Sequence, residues 1–397
     1  MPLRSSRWPF RSPPRRPEAR RLRSVLVAHP SAELYGSDRV LLESVQAMVG
    51  AGWAVVVTVP APGPLVPELV ARGATVVRCP TPVLRKSALT ARGFGELLAD
   101  LLRSVGPATR LVRRHGTDGV YVSTVTIPLW LLVGRLLGRR VTGHVHEAEA
   151  SAPRLLRTLI ALPLLLASRV VVNSTFSLEV LTAAVPGLRG RSTVVDNGIP
   201  GPARVVPARA RLASPVVVLF LGRLSPRKGP QVAVAAARLL AERGVEVRLD
   251  LLGAVYAGYE WFEAELQAAV SAAGLGADVR FLGFDPDVWP HLAAADVVVV
   301  PSVVDEPFGN TAVEAVLAGR PLVASATSGL LEAATGYAGV QLVAPDRPDL
   351  LADAVQRVIT EWGHHRELAD RDRAVAQERH SVRRYQQQIV RIVSGDG

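Results

Sequence analysis

With 397 residues, the chain is longer than one ordinary hydrophobic core can accommodate, so its length predicts two domains of similar size. Apolar residues make up 49% and aromatic residues 5%, a balance that suits buried parallel strands covered by helices. The formal net charge is +11, and the single cysteine, Cys79, excludes an internal disulfide and a multi-cysteine metal site and favours a reducing compartment.

The first 23 residues form a basic segment, with eight arginines and one glutamate (8 − 1 = +7). The segment is rich in proline and lacks the apolar run of a signal peptide, so residues 1–23 are predicted to be a disordered arm. The arm is either attracted to anionic lipid at a cytoplasmic surface or is an unstructured tail. Its basic residues do not alternate with aromatic ones, which disfavours nucleic acid. We therefore expect a cytoplasmic protein that can contact the inner face of the cell membrane.

The first half of the chain then alternates short apolar runs with helical stretches. Predicted strands cover residues 24–29, 54–59, 75–78, 119–123, 141–146 and 170–173, with the last one closing this half, and predicted helices include 39–50 and 64–72. No run reaches the ~20 apolar residues of a membrane-spanning helix. The nearest, 127–134 and 159–167, are predicted to be buried or interfacial helices.

The second half repeats the alternation. Predicted strands cover residues 216–221, 247–252, 279–282, 297–300 and 321–324, and predicted helices cover 230–243, 261–273, 290–295, 310–318, 349–362 and 381–393. Strands that alternate with helices indicate right-handed parallel crossovers, as in doubly wound sheets.

These patterns predict an α/β protein of two Rossmann-like, doubly wound domains, covering residues 24–198 and 216–380. Residues 199–215 contain four prolines and no apolar period, so they are interpreted as the linker. The C-terminal segment 381–397 is expected to be a helix that packs back toward the first domain. A deep cleft between the two domains is the expected ligand site.

The loop GRLSPRKG, residues 222–229, follows the first strand of the second domain and precedes a helix. It should lie at the carboxyl edge of the sheet, where open parallel sheets bind ligands. Arg223, Arg227 and Lys228 together with a helix start suit a phosphate group, because the helix presents free amides and partial positive charge. A solvated basic turn is the alternative.

A second loop, residues 301–310, ends in EPFGN and leads into the helix that carries Glu314. Gly309 allows the backbone to approach a ligand, and the amides from Gly309 to Thr311 are expected to point out of the helix start. Glu306 would repel a diphosphate, so it is interpreted as facing sugar hydroxyls. Glu314 could accept hydrogen bonds from a ribose diol, or it could complement the helix dipole.

The two loops, GRLSPRKG and EPFGNTAVEAVLAG, together resemble the motifs of the retaining glycosyltransferases with the two-domain GT-B fold, of the family 4 type. That family carries a Glu–seven residues–Glu motif, matched by Glu306 and Glu314, and an Arg and a Lys in the earlier loop, matched by Arg223 and Lys228. The resemblance extends over residues 24–393. It implies that Arg223 and Lys228 hold the donor diphosphate, while Glu306 contacts the transferred sugar and Glu314 the ribose.

The resemblance also implies further site residues. His146, followed by Glu147, resembles the family's His–acid pair beside the reacting sugar; a structural histidine is the alternative, and His144 is a rival on the same face of the strand. Tyr35 stands where relatives have a first glycine, so Gly36 is expected to make the loop's donor contact. The implied catalytic residues are His146 and Glu306, and the implied donor-binding residues are Gly36, Arg223, Lys228, Gly283, Phe308, Gly309, Asn310, Thr311 and Glu314.

Three segments match family positions less directly. Asn173 and Asn197, with their neighbours, match segments flanking the cleft, and Asn310 is the third and last asparagine of the chain. Residues 328–332 resemble a segment near the donor, although a structural role for Glu332 explains the match equally well.

The predicted function is retaining transfer of a hexose-type sugar from a nucleoside-diphosphate sugar to a saccharide or lipid-linked acceptor, in cell-envelope polysaccharide or glycolipid synthesis. We expect no metal requirement and no cofactor beyond the donor, with the cations of the motif loops in the place of a metal ion. The alternatives are a nucleotide-sugar epimerase on the same fold and a non-catalytic nucleotide-sugar-binding protein. A dehydrogenase is disfavoured, because no Gly-x-Gly-x-x-Gly follows the first strand of either half.

Overall fold

A computed structural model describes residues 23–84, 90–148, 150–256 and 258–395. Within these residues the chain folds into two parallel β-sheets, each covered by helices on both faces. The predicted basic arm lies outside the described residues except for Arg23. No helix in the described part of the chain is both long and apolar enough to cross a lipid bilayer.

The first sheet has seven parallel strands in the order β3-β2-β1-β4-β5-β6-β7. Its strands are β1 Ser24–Ala28, β2 Ala54–Val59, β3 Thr75–Arg78, β4 Gly119–Val122, β5 Val141–Val145, β6 Arg169–Val172 and β7 Ser192–Val194. Most are near-continuous apolar runs, because helices bury both faces of the sheet. The prediction that the strand at 170–173 closes this half was wrong. The sheet continues into β7, which is too short and too polar to give an apolar run.

Two layers of helices enclose this sheet. They are α1 Gly36–Gly50, α2 Leu65–Ala71, α3 Ala91–His115, α4 Pro128–Leu136, α5 Arg154–Ala161 and α6 Thr175–Ala184. Helices α1 and α2 share one core cluster with the sheet, and α3, α4 and α5 share another on the opposite face. The predicted helix at 159–167 is divided, because α5 ends at Ala161 and Leu162–Leu166 is a 3₁₀ turn that contains Pro163, which has no amide to donate.

The second sheet has six parallel strands in the order β10-β9-β8-β11-β12-β13. Its strands are β8 Val216–Leu221, β9 Val247–Leu252, β10 Val279–Gly283, β11 Val297–Val300, β12 Leu322–Ser325 and β13 Val340–Val343. The helices are α7 Pro230–Glu242, α8 Glu260–Ala272, α9 Trp289–Ala294, α10 Asn310–Leu317, α11 Ser328–Ala334, α12 Pro348–Thr360, α13 Trp362–Arg379 and α14 Val382–Ser394. The predicted helix at 349–362 is wrong at its end, since α12 stops at Thr360 and α13, which was not predicted, begins two residues later.

The last helix, α14, packs against α1 of the first domain. Tyr385 and Ile389 are fully buried in the core cluster of α1 and α2. The Tyr385 hydroxyl lies 2.5 Å from Ser44 Oγ on α1. A Cβ on Gly198 would lie 2.6 Å from Tyr385 Cβ, so the chain passes very close to α14 where it leaves the first domain.

Candidate active site

A cleft with a volume of about 370 Å³ lies between the two domains. Loops from the carboxyl ends of β1 and β5 line one wall, and loops from the carboxyl ends of β8, β9 and β11 line the other. Both sheets therefore present to this cleft the edge at which parallel α/β sheets bind ligands.

The two motif loops of the second domain pack directly against each other. Gly229 has a left-handed backbone with φ of 75°, and a Cβ there would lie 2.0 Å from the carbonyl oxygen of Pro301, so only glycine fits. The Val303 amide donates to the Arg227 carbonyl at 2.8 Å, and the Arg227 guanidinium donates to the Asp305 carbonyl at 3.0 Å. The loop at 222–229 and the loop at 301–310 are thus one structural unit.

Lys228 and Glu306 form an ion pair within this unit. Lys228 Nζ lies 2.6 Å from Glu306 Oε1, which also accepts a 2.7 Å hydrogen bond from Ser302 Oγ. Glu306 is buried, while the Lys228 side chain is 30% exposed and lines the cleft. The charge of Glu306 is therefore balanced by Lys228, and the ammonium keeps further hydrogens to donate into the cleft.

Helix α10 begins at the floor of the cleft. Gly309 precedes its first residue with φ of 115°, and a Cβ there would lie 2.8 Å from Leu330 Cδ1. The first intrahelical bond is donated by Ala312, to Gly309 O at 3.0 Å, so the amides of Asn310 and Thr311 precede the helical ladder. Phe308, Gly309, Asn310 and Thr311 all line the cleft.

Glu314 lies on α10 and lines the same cleft. It is 8% exposed, and its nearest cation is Arg39 of the first domain, with Nη1 3.9 Å from Oε1. Burial raises the pKa of Glu314 to about 7, against the opposing influence of Arg39 and Lys228. This carboxyl group therefore changes charge near neutral pH.

His146 follows β5 and lines the cleft from the first domain. Its ring lies 3.9 Å from that of His144, centroid to centroid. Burial lowers the pKa of His146 to about 3, and the nearby His29 lowers it as well, so the ring is neutral at physiological pH. The rival His144 is fully buried inside the strand and hydrogen-bonds to the Tyr121 hydroxyl, away from the cleft lining.

Gly36 opens α1, and a buried pair fixes the loop before it. His29 Nε2 lies 2.6 Å from Asp38 Oδ1, and Asp38 Oδ2 accepts the Tyr35 amide at 2.8 Å. A Cβ on Gly36 would lie 3.2 Å from the Asn310 side-chain nitrogen, so the first domain closely approaches the start of α10 here. Asn197 Nδ2 donates to Asn310 Oδ1 at 2.8 Å across the same boundary.

Arg223 packs against two tyrosines that also contact each other edge to face, an arrangement that the sequence did not reveal. Its guanidinium carbon lies 3.4 Å from the centroid of the Tyr256 ring and 4.4 Å from that of Tyr35. The Tyr35 ring also lies 5.6 Å from the Phe284 ring. Arg223 Nε is buried and has no hydrogen-bond partner among the described residues, so the cation is oriented by ring faces rather than by a carboxylate.

Two of the segments with weaker family matches lie at the boundary between the domains. Glu332 accepts the Thr175 and Phe176 amides at 2.9 and 3.2 Å, and so caps α6 of the other domain. Ser174 Oγ donates to Pro307 O at 2.5 Å. Glu332 thus has the structural role that was the alternative. Gly283 ends β10, and its carbonyl accepts a hydrogen bond from the Gly253 amide at 2.8 Å; its neighbour Phe284 is the residue that lines the cleft.

Within the described ranges, no group of three or more His, Cys, Asp or Glu side chains is arranged to hold a metal ion. The cleft brings Gly36, His146, Arg223, Lys228, Glu306 and Glu314 together, with the start of α10 between them. These residues place the cations Arg223 and Lys228 and the amides at the start of α10 beside the carboxyl groups of Glu306 and Glu314.

The chain is similar in sequence to known glycosyltransferases. The family model for glycosyl transferases group 1 matches residues 208–375. A 2-deoxystreptamine glucosyltransferase of Streptomyces kanamyceticus is 30% identical over 312 residues, which cover 72% of this chain and 78% of that protein.

Other relatives match over shorter stretches. A GDP-mannose-dependent alpha-(1-6)-phosphatidylinositol dimannoside mannosyltransferase of Mycobacterium tuberculosis is 33% identical over 176 residues, which cover 43% of each chain. An uncharacterized glycosyltransferase of Methanocaldococcus jannaschii is 35% identical over 167 residues, which cover 42% of this chain and 41% of that protein. This chain thus aligns with less than half the length of either protein.

The fold has solved counterparts. The structure of HepE from Anabaena in complex with UDP and glucose superposes with a TM-score of 0.77 at 23% identity, covering 94% of this chain and 99% of that chain. The likeness extends over both domains. The chain therefore belongs to the glycosyl transferases group 1 family and has the GT-B fold, with two Rossmann-like domains facing each other across a cleft.

Proposed function

We propose that the cleft binds a nucleoside-diphosphate sugar and that the protein transfers a hexose-type sugar from it to an acceptor with retention of configuration. The proposal rests on one observation: Lys228 and Glu306 form an ion pair next to the start of α10, and Arg223 lines the same cleft. A saccharide or lipid-linked acceptor in cell-envelope polysaccharide or glycolipid synthesis is the expected context. The relatives named for GDP-mannose and for UDP with glucose support a nucleotide-sugar donor.

Transfer places negative charge on the departing diphosphate, and the cleft has positive groups to receive it. Lys228, Arg223 and the free amides of α10 would stabilise that charge as it develops, which is the task a divalent cation has in other transferases. We therefore propose transfer without a metal ion, in which the departing phosphate accepts the proton of the acceptor hydroxyl.

The transferred sugar would lie between Glu306 and His146. Glu306 has a second carboxylate oxygen free of the Ser302 and Lys228 contacts that are made by Oε1, and this oxygen can accept from a sugar hydroxyl. His146 is neutral and its Nε2 lacks a hydrogen-bond partner within the described part of the chain. It can therefore hydrogen-bond to the sugar without adding charge.

The test is a panel of UDP-, GDP- and TDP-sugars incubated with the protein, with release of nucleoside diphosphate as the readout. We expect release from at least one donor, accelerated by the correct acceptor. An epimerase would change the sugar without release, and a non-catalytic binding protein would bind a donor and leave it unchanged. If no donor binds at all, the assignment of the cleft fails.

Donor binding should weaken as pH falls through neutrality. The pKa of Glu314 is raised to about 7, so its carboxyl is mostly ionised at about pH 8 and mostly protonated at about pH 6. If the ionised form accepts from the ribose diol, the dissociation constant should rise about tenfold over this range, following the ionised fraction. Calorimetric titration of a nucleoside-diphosphate sugar at both pH values measures this, because its diphosphate, unlike the terminal phosphate of a free nucleoside diphosphate, does not change charge in this range. The Glu314→Gln variant should lose the dependence, and a dependence that persists in it would contradict this role.

Tyr35 should assist donor binding through Arg223. The two tyrosine rings contact the guanidinium from different directions, with their centroids 5.3 Å apart and their planes at 77°, and its N–H groups can still donate to phosphate oxygens. Because a cation–π contact is worth about 0.5–2 kcal/mol, Tyr35→Ala should raise the donor KM roughly 3- to 30-fold with little change in kcat. Tyr35→Phe keeps the ring and should behave like the wild-type protein. Equal donor KM values for the wild-type protein and both variants would show that Tyr35 does not contribute to donor binding.

A further inference from the structure

Helix α3 carries an apolar stripe that the fold leaves uncovered. Phe94, Leu98, Leu102 and Val105 follow one another at intervals of three to four residues and are all exposed, with Leu102 at 73%. This spacing places them on one side of the helix. The adjoining side, with the buried Ser104, Ala108 and Val112, packs on the sheet. A helix in a water-exposed position would normally carry polar residues along this stripe.

Two neighbouring helices extend the apolar surface. Helix α3 packs beside α4, and α4 packs beside the 3₁₀ turn that continues α5, so the three form one layer on the same face of the sheet. On α4, Leu136 is 75% exposed, one turn after the exposed Leu132. On α5, Leu155 is 72% exposed, one turn before the exposed Leu159. We call this surface the α3–α5 face; it is larger than scattered single apolar residues would explain.

The helices that form the α3–α5 face are also rich in arginine. Helix α3 has five arginines and two acidic residues. Residues 128–140, which cover α4 and the turn after it, have three arginines and no acidic residue, and residues 150–166, which cover α5 and its 3₁₀ turn, have two arginines and none acidic. Leu and Phe interleaved with Arg are the composition of helices that lie in a membrane interface.

We infer that the α3–α5 face docks on the surface of an anionic lipid bilayer, with its leucines in the boundary between headgroups and acyl chains and its arginines on the phosphates. The inference names the surface that would make the membrane contact. It is based on the exposed apolar face and does not depend on which donor the cleft binds. A protein partner fits less well, because the exposed apolar residues of this face are Leu, Phe and Val rather than the Tyr, Trp and Met enriched in protein interfaces.

The topology of the first domain places one end of the α3–α5 face beside the cleft. Helices of a parallel α/β unit run opposite to the strands, so α4 and α5 begin at the carboxyl edge of the sheet, beside the cleft. Helix α5 starts eight residues after His146, which lines the cleft. Docking of the α3–α5 face therefore brings the edge of the active-site cleft near the lipid surface, where an acceptor held in the bilayer could enter from the side of the first domain.

Vesicle flotation of the full chain tests the inference without any substrate. We expect binding to vesicles of phosphatidylcholine mixed with phosphatidylglycerol, and much weaker binding to phosphatidylcholine alone. Leu102→Ser and Leu136→Ser should each lower the partition coefficient roughly tenfold, because each removes a leucine from the lipid. Val70→Ser on α2 and Val375→Ser on α13 are matched controls, since both side chains are exposed elsewhere and should not affect binding.

Calorimetric binding of nucleoside diphosphate shows that each variant is folded, and it separates failure of this inference from failure of the proposed function. Leucine variants that float like the wild-type protein would overturn the inference. A second result would also overturn it: light scattering shows that the wild-type protein is a dimer, the Leu102→Ser variant is a monomer, and neither protein binds anionic vesicles. In that case the face would be an interface between two copies of the chain.

Discussion

Replacing Glu306 by glutamine should lower the rate of sugar transfer by about 10²–10³-fold while changing nucleoside diphosphate affinity only a few-fold. Glutamine keeps the shape of the side chain and an oxygen that can accept from Ser302 Oγ and Lys228 Nζ. In the proposed mechanism it removes the negative charge beside the sugar, where positive charge develops in the transition state. The measurement is steady-state transfer with the best donor, beside calorimetric titration of the nucleoside diphosphate.

The matched control is Asp305→Asn. Asp305 is the preceding residue and its carboxylate accepts from the Ser328 hydroxyl, so it tests loss of charge at the same loop without a contact to the sugar. We expect it to retain most of the transfer activity. Equal loss of transfer and of nucleotide binding in Glu306→Gln, together with a lower unfolding temperature, would assign Glu306 to the folding of the loop instead.

Replacing Lys228 by alanine should weaken nucleoside diphosphate binding by about 100-fold, and Arg223→Ala by roughly 10- to 100-fold, because each removes charge-assisted hydrogen bonds worth about 1.5–3 kcal/mol. Lys228→Ala has the larger expected effect, since it also leaves the buried Glu306 without its partner, 2.6 Å away in the native protein, and that carboxylate then repels the diphosphate. Calorimetric titration measures both variants.

Two controls separate phosphate binding from a general change in charge. Arg238 forms an exposed pair with Glu242 on α7, and Arg238→Ala removes one positive charge from the same domain; its nucleotide affinity should equal that of the wild-type protein. The free nucleoside has no phosphate. It should therefore bind with equal affinity to the wild-type protein and to the three alanine variants of Lys228, Arg223 and Arg238. A Lys228→Ala variant that binds nucleoside diphosphate as tightly as the wild-type protein would exclude Lys228 from the donor site.

The sequence predicted the parts of the site that depend on local chemistry. Apolar runs such as the strand at 216–221 are long enough to identify, and the loops that follow them carry rare residue types, such as Lys228 and Asn310, at recognisable spacings. Parallel topology then requires these loops to share one sheet edge. The short strand β7 gave no such pattern, because three residues with a polar start contain too little apolar character.

The sequence did not predict which side chains from different loops, strands and helices contact each other. Tyr256 is far from Arg223 in the chain, and their stacking depends on β8 and β9 being neighbours in the sheet. The Lys228–Glu306 ion pair depends in the same way on the packing of two loops around Gly229. The resemblance left a donor contact and a structural role open for Glu332, and the structure shows that its carboxylate caps α6, because the domain boundary brings that helix start to it.

Hydrogen–deuterium exchange of the full chain, with and without saturating nucleoside diphosphate, tests most directly that the donor site lies where the two motif loops meet. We predict strong protection of the amides in residues 222–229 and 305–314, which line the second-domain wall of the cleft. Weaker protection is expected at residues 34–39 on the opposite wall. Protection confined to other parts of the chain, with both motif loops exchanging as in the free protein, would contradict the account.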